Sequence, residues 1–127
     1  MIRVAIADDH AEMLVALRLL LSFSEDVEVV CAAGSGQEAV ECVTQLQPDI
    51  LVMDIQMPEL DGLQATRQIV NLGLPTRVIL ISIYRGGYFV RKAQESGAKG
   101  FLPKDDVATS LTQAVRAVQR GEEIFVE

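Results

Sequence analysis

The chain has 127 residues, half of them hydrophobic, with 18 acidic and 11 basic side chains and a formal net charge of −7 at pH 7. This size and apolar content predict one globular domain and exclude an intrinsically disordered chain. The acidic balance argues against binding of nucleic acid or of an anionic membrane by this chain alone, because both require a basic surface.

The segments at the start of the chain predict neither a membrane span nor a secretory signal. The longest apolar run, residues 13–23, is interrupted by Arg18 and is shorter than the ~18 residues that cross a bilayer. The first residues lack a basic start followed by a long apolar stretch. We therefore expect a cytoplasmic protein with no membrane association.

Short apolar runs alternate with segments of helical periodicity along the whole chain. The predicted strands are residues 2–7, 27–32, 50–53, 77–82 and 100–102. The predicted helices follow them around Leu14–Leu21, at 36–46, 62–72 and 88–95, and from 107 to just before Gly121. Apolar strands separated each time by a helix are typical of a parallel sheet with helices on both faces, a doubly wound α/β domain.

Polar residues that can carry chemistry follow the ends of these strands. Asp8 and Asp9 follow the first strand, Asp54 the third, Ser82 ends the fourth, and Lys104 follows the fifth. Ligands of doubly wound sheets bind outside the carboxyl ends of the strands, so these groups are expected to meet there. Neighbouring carboxylates repel one another unless a cation lies among them, and oxygen ligands suit Mg²⁺.

The same residue types favour phosphoryl transfer. A divalent ion and a lysine can share the anionic oxygens of a phosphoryl group, and a hydroxyl can donate to it. Asp54 stands alone at the end of the predicted central strand, which makes it the best candidate nucleophile.

Four motifs occur in an order that carries a resemblance to a known family. They are IADDH at residues 6–10, VMDIQMPELDG at 52–62, ILIS at 79–82 and GAKGFLPK at 97–104. Over essentially its whole length the chain resembles the receiver domain of two-component response regulators. The DDH and GAKGFLPKD details are most similar to the NarL/FixJ subfamily, whose members carry a C-terminal helix-turn-helix DNA-binding domain.

The resemblance implies a fold and a set of site residues. The fold is a (βα)5 flavodoxin-like sandwich with a five-stranded parallel sheet in the order 2-1-3-4-5. Asp54 is then the phosphoacceptor, and Lys104 and Ser82 contact the phosphoryl group. Phe101 acts as a switch residue that moves inward on phosphorylation, so we expect it to be partly exposed at rest. The resemblance gives Asp9, Asp54 and the backbone carbonyl of Gln56 as Mg²⁺ ligands, and the cluster of strand-end carboxylates adds Asp8.

The resemblance also implies partners and a domain organisation. A sensor histidine kinase supplies the phosphoryl group, and the chain is a signalling switch that catalyses only its own phosphorylation and dephosphorylation. Residues 1–121 form the receiver, and 122–127 begin the linker to a missing C-terminal DNA-binding domain, so that transcription is the expected output. Phosphorylation is expected to favour a homodimer. A natural stand-alone receiver is the alternative.

Several residues need a separate interpretation. Ile83 stands where the resemblance implies a small residue directly after the hydroxyl, and Tyr84 where some receivers have a small or acidic residue. We interpret both as candidates that gate access to Asp54. His10 is interpreted as a helix N-terminal residue near the acidic pair. Cys31 and Cys42 lack the spacing of a metal or redox motif and are interpreted as two small buried hydrophobic residues.

Two other functional classes stay open from the sequence. Residues 34–39, GSGQEA, fit the GxGxx(G/A) pattern of a dinucleotide-binding turn, with Asp54 about 20 residues further on. The short chain and the unused residues at the other strand ends argue against this function. A degenerate receiver that only binds proteins is the third possibility, and the complete set of strand-end residues argues against it.

Overall fold

Strands and helices alternate along the chain in a computed structural model that describes all 127 residues. The strands are β1 Ile2–Ala7, β2 Val27–Ala33, β3 Ile50–Asp54, β4 Arg77–Ser82, β5 Gly100–Pro103 and β6 Ile124–Phe125. The helices are α1 Ala11–Ser22, α2 Gly36–Leu46, α3 Gly62–Asn71, α4 Gly87–Ser96 and α5 Val107–Gln119, and Lys104–Asp106 form a 3-10 turn. The predicted elements are thus present within one or two residues of their bounds, except that α1 begins three residues before Leu14.

The sheet is parallel throughout, with the strand order β2-β1-β3-β4-β5-β6. The doubly wound fold and the order 2-1-3-4-5 are confirmed, and β6 is an additional strand. It lies in the segment that we interpreted as the start of a linker, where Phe125 pairs with Phe101. The order reverses at β1, so the carboxyl ends of β1 and β3 lie side by side at the switch point.

Two apolar layers form the core, one on each face of the sheet. Leu51 and Met53 of β3 point toward α2, α3 and α4, whereas Ile50 and Val52 point toward α1 and α5. All four are fully buried. This double burial explains why β3 is an uninterrupted apolar run in the sequence.

A β-bulge in β2 changes which residues face α2. Val4 pairs with Val29, but the next residue of β1, Ala5, pairs with Cys31, so that Val30 is an extra residue. Cys31 consequently packs with the core beneath α2 and is joined to Cys42 by a disulfide. Our interpretation of the cysteines as two small buried hydrophobic residues is wrong: the bulge turns Cys31 toward α2, where it is bonded to Cys42, and Cys31 is only half-buried.

None of the helices in this chain has the length and apolar character needed to cross a membrane.

Candidate functional site

The acidic residues meet at the carboxyl ends of β1 and β3, as predicted. The two strands pair directly, with Ala7 opposite Met53, so Asp8 and Asp54 come from adjacent positions on the rim. The side chain of Asp8 is fully buried and that of Asp54 is 3% exposed. The side chain of Asp9 is 26% exposed and faces the opening. Two carboxylates are therefore held largely out of water, with a third at the entrance.

Lys104 bridges the two buried carboxylates. Its ammonium nitrogen Nζ lies 3.0 Å from Asp8 Oδ2 and 3.1 Å from Asp54 Oδ2. The 3-10 turn after β5 carries this side chain to the rim. The residue predicted to contact a phosphoryl group thus provides the positive charge among the acidic residues in this structure.

The pKa values of Asp54 and Lys104 reflect this arrangement. Burial raises the pKa of Asp54 above its ordinary value, and the positive charge of Lys104 offsets only part of this effect. Burial by itself would lower the pKa of Lys104, but hydrogen bonds and charges from Asp8 and Asp54 outweigh it and raise that pKa. Lys104 therefore stays protonated at neutral pH.

The acidic group is suited to a hard divalent cation. One ligand atom from each of Asp8, Asp9, His10 and Asp54 lies within 4.8 Å of the others. Three of these donors are carboxylate oxygens, which are the ligands Mg²⁺ prefers. The three predicted carboxylate ligands, Asp8, Asp9 and Asp54, are thus brought together by the fold.

His10 belongs to the same group, as its interpreted position near the acidic pair suggested. It is the N-cap residue of α1, and its ring Nδ1 lies 3.2 Å from Asp8 Oδ1 and 3.3 Å from Asp9 Oδ1. Sequence reasoning placed the residue correctly but missed these contacts. Its adjacency to the acidic pair was the available signal.

Gln56 links Asp54 to Ser82. The backbone N–H of Gln56 donates to Asp54 Oδ1 at 3.1 Å, and its side-chain Oε1 accepts a hydrogen bond of 2.9 Å from Ser82 Oγ. Ser82 Oγ in turn accepts from the backbone N–H of Tyr84 at 3.0 Å. The sequence indicated only a backbone role for Gln56, whereas its side chain also restrains the hydroxyl at the end of β4.

The expectation that Phe101 is partly exposed at rest is wrong. The ring is fully buried and packs with the core beneath α2, α3 and α4. The unpredicted strand β6 explains the difference, because it makes β5 an interior strand and places Phe125 opposite Phe101.

Ile83 and Tyr84 lie at the surface just beyond Ser82, with 65% and 51% of their areas exposed. The ring of Tyr84 stacks on Phe89 with centroids 5.5 Å apart. The backbone of Tyr84 thus contacts the hydroxyl of the site, whereas its ring lies on Phe89 of α4. Its gating role stays a prediction.

Comparison with known proteins identifies the family. Residues 4–116 match the model of the response regulator receiver domain, so the chain belongs to the response regulator receiver family. It is 41% identical over 125 residues to the transcriptional regulatory protein DesR of Bacillus subtilis (strain 168), an alignment that covers 98% of this chain and 62% of DesR. It is 38% identical to the oxygen regulatory protein NreC of Staphylococcus carnosus (strain TM300), covering 94% of this chain and 56% of NreC.

Solved structures agree with the fold and the subfamily. The signal receiver domain described for NarL of Mycobacterium tuberculosis superposes with a TM-score of 0.91 at 36% identity, covering 95% of this chain and 98% of that one. A LuxR-family response regulator from Aurantimonas sp. SI85-9A1 gives a TM-score of 0.92 at 31% identity, covering 96% and 87%. The chain is thus a receiver domain of the NarL/LuxR type of response regulator.

The glycine pattern that suggested a dinucleotide site has another explanation. Ser35 caps α2 by accepting a hydrogen bond from the backbone N–H of Glu38. At Gly36, a Cβ would collide with the carbonyl oxygen of Leu60, so close helix packing requires glycine there. With the family established, the dinucleotide-binding alternative is wrong.

The chain spans about 60% of the length of DesR and somewhat less of NreC. The activity and partners of the whole protein are therefore considered below as proposals.

Proposed function

We propose that this chain accepts a phosphoryl group on Asp54 from a sensor histidine kinase and thereby switches a transcriptional output. The observation that carries the proposal is the bridge from Lys104 to the buried carboxylates of Asp8 and Asp54, at 3.0 and 3.1 Å. A lysine and a buried carboxylate at one strand switch point match the needs of phosphoryl transfer to an aspartate.

The transfer forms one bond and breaks another. A carboxylate oxygen of Asp54 attacks phosphorus while the bond from phosphorus to the donor breaks, leaving an acyl phosphate on the protein. Lys104 exchanges part of its contact with the carboxylates for the phosphoryl oxygens. Ser82 gives up its hydrogen bond to Gln56 and donates to the phosphoryl group instead. The buried Asp8 holds Lys104 in place throughout.

Asp8, Asp9, Asp54 and the backbone carbonyl of Gln56 would hold Mg²⁺, in accord with the oxygen donors gathered at the rim. When bound, the ion supplies positive charge that neutralises the phosphoryl oxygens. The protein's own catalysis is limited to its phosphorylation and dephosphorylation, so it acts as a switch.

The output step uses the face formed by α4, β5 and α5, where the edge of β5 is paired with β6 in this structure. Movement of Ser82 toward the phosphoryl group changes the β4–α4 loop, whose Tyr84 N–H donates to Ser82 Oγ. Phe101, which already lies inside the core in this structure, is the proposed switch residue. Residues 1–121 form the receiver and 122–127 start a linker to a DNA-binding domain, as the transcriptional regulators among the relatives suggest. The protein is cytoplasmic. Phosphorylation favours a homodimer, and light scattering before and after phosphorylation tests this change in mass.

The acceptor is tested by incubating the chain with Mg²⁺ and acetyl phosphate and weighing the intact protein. The wild type should gain one phosphoryl group, and Asp54→Asn should gain none because it lacks the nucleophilic oxygen. Asp105→Asn, an exposed aspartate of the neighbouring 3-10 turn, is the matched control and should react like the wild type. A full adduct on Asp54→Asn would place the acceptor elsewhere. No adduct on the wild type would favour a degenerate receiver.

A further inference from the structure

The disulfide between Cys31 and Cys42 lies outside the site described above and has no part in the proposed phosphoryl transfer. These are the two cysteines of the chain. Their Cα atoms are 6.7 Å apart, inside the range of about 4.4–6.8 Å found for disulfides. The bond joins the edge strand β2 to the middle of α2.

The pairing depends on the bulge in β2. Val27 and Val29 pack with the core beneath α1 and α5, whereas Cys31 and Ala33 pack with the core beneath α2. In a regular strand these four residues would all point to the same face, because side chains alternate with a period of two. The extra residue Val30 moves Cys31 to the face that carries Cys42. The backbone therefore builds the contact between the two sulfur atoms.

One of the two cysteines is open to a small reagent. A crevice of about 250 Å³ is lined by both cysteines, with Glu38 and Glu41 on its wall. Cys31 is half-buried, whereas Cys42 is only 7% exposed. A small reagent can thus reach Cys31 from solvent. Cys42 is more deeply buried and is placed to react afterwards with a mixed disulfide formed at Cys31. The two glutamates favour a reagent that is positively charged.

We propose that Cys31 and Cys42 form a reversible dithiol–disulfide site whose oxidant is a low-molecular-weight disulfide. The proposal rests on the cytoplasmic location given under the proposed function. Cytoplasmic thiols are kept reduced, and the disulfides found there are mostly transient or redox-sensing. Two cysteines that lie within bonding distance beside an open crevice fit the class of redox-sensing disulfides.

The oxidation consists of two thiol–disulfide exchanges. The Cys31 thiolate attacks one sulfur of the small disulfide, forms a mixed disulfide and releases one small thiol. The Cys42 thiolate then attacks the Cys31 sulfur and releases the second small thiol. The protein loses two electrons and two protons, the small disulfide gains both, and a reducing dithiol reverses the reaction.

The oxidised form restrains a segment that borders the candidate site. The closed loop contains Ala33, whose carbonyl accepts a hydrogen bond of 3.1 Å from the backbone N–H of Asp8, and Gly36, which packs against Leu60. Closing a loop with a sequence separation of 11 residues should raise the folding equilibrium constant on the order of a hundredfold. Oxidation therefore fixes α2 against β2.

The test uses the 127-residue chain without any phosphodonor, so its outcome is independent of the proposed phosphorylation. The protein is treated with dithiothreitol or with excess cystamine, a cationic small disulfide, then denatured, alkylated with iodoacetamide and weighed. The reduced chain should carry two alkyl groups. The oxidised chain should carry none, remain a monomer, and regain two alkylatable thiols with dithiothreitol. Its urea midpoint should exceed that of the reduced chain.

Cys42→Ala, checked by circular dichroism, is the matched variant, because it removes the buried resolving thiol and keeps the half-buried Cys31. It should stop at one mixed disulfide between Cys31 and cysteamine, and its urea midpoint should not rise on oxidation. Cys31→Ser leaves only the buried Cys42, so it should keep one alkylatable thiol under the same treatment. The proposal is overturned if the wild type keeps two free thiols in excess cystamine, or ends as a double mixed disulfide or a covalent dimer. Equal midpoints for the oxidised and reduced chains would also overturn it.

Discussion

The charge of Lys104 is the main compensation for the two buried carboxylates in the metal-free protein. Its side chain is 16% exposed, and Asp8 and Asp54 are almost completely buried. Removing one partner of a buried ion pair is costly because the remaining charge has neither water nor a counter-ion. The stability of the site therefore depends on this one side chain when no metal is present.

Lys104→Met is expected to lower the free energy of unfolding by about 3 kcal/mol at neutral pH without Mg²⁺. Addition of Mg²⁺ should recover more stability in this variant than in the wild type, because the ion supplies the missing positive charge. Urea unfolding with and without Mg²⁺ measures both effects. The control is Lys99→Met, whose exposed pair with Glu123 at 3.9 Å should contribute less than about 1 kcal/mol. Equal losses in the two variants would contradict the prediction.

Tyr84 and Ile83 are expected to prolong the phosphorylated state. Hydrolysis of an acyl phosphate needs a water molecule nearly in line with the leaving oxygen, and bulky side chains in the loop that follows Ser82 can displace that water. Tyr84→Ala and Ile83→Ala should therefore shorten the lifetime, by up to about a hundredfold if the water is held about 1 Å off its path.

The lifetime is measured by following loss of the phosphoryl group by mass spectrometry in excess Mg²⁺. Tyr88→Ala is the control, because Tyr88 contacts the same Phe89 ring edge-on with centroids 5.2 Å apart but lies further along the chain from Ser82. Unchanged lifetimes in the Tyr84 and Ile83 variants would leave these side chains without a gating role.

At the scale of elements, α2 and α3 are held against the site by close backbone contacts. A Cβ at Gly36 would meet the carbonyl oxygen of Leu60, and one at Gly62 would meet the carbonyl oxygen of Asp54. Asp61 and Gln64 form a capping box that begins α3 directly after this contact. The β3–α3 loop that carries Gln56 is therefore confined between the starts of two helices.

Gly36→Ala is expected to destabilise the protein by about 1–3 kcal/mol, because the added methyl group forces backbone apart. Gly34→Ala is the matched control two residues earlier, where a Cβ meets no heavy atom within 4 Å. It should change stability by less than about 0.5 kcal/mol. Urea midpoints of the two variants measure the difference. A neutral Gly36→Ala would show that α2 can move away from Leu60 without cost.

At the scale of the whole molecule, an exposed ion pair joins the segment before β2 to α5. Arg116 donates two hydrogen bonds to the Asp26 carboxylate, at 2.9 and 3.0 Å. These bonds hold the pKa of Asp26 below its ordinary value of 3.8. A carboxyl with a lowered pKa in the folded state stabilises the fold above its ordinary pKa, and this contribution is lost as the pH falls through the lowered value.

Asp26→Asn should therefore be slightly less stable than the wild type at pH 7. The difference should shrink as the pH falls below 3.8 and vanish below the lowered pKa of Asp26. Both side chains are exposed, so added NaCl should also reduce the difference. Paired urea titrations at pH 7 and in acid, at low and high salt, provide the measurement. A difference that grows in acid would have the wrong sign for this ion pair.

The sequence by itself determined the alternation of strands and helices, because hydrophobic periodicity is a local property and α2 and α3 have their own N-caps at Ser35 and Asp61. It also placed Asp8, Asp9, Asp54 and Lys104 at one rim, because every strand of a parallel sheet ends on the same side. Their roles in phosphorylation remain proposals, but their proximity followed from the predicted topology.

Only the tertiary structure decided the features that depend on pairing between distant strands. The bulge at Val30 is a matter of register between β1 and β2, and it alone turns Cys31 toward Cys42. The burial of Phe101 depends on β6 pairing with β5, and the restraint on Ser82 depends on Gln56, 26 residues away. Register and long-range contact are set by the packing of the whole chain, so no local pattern of residues contains them.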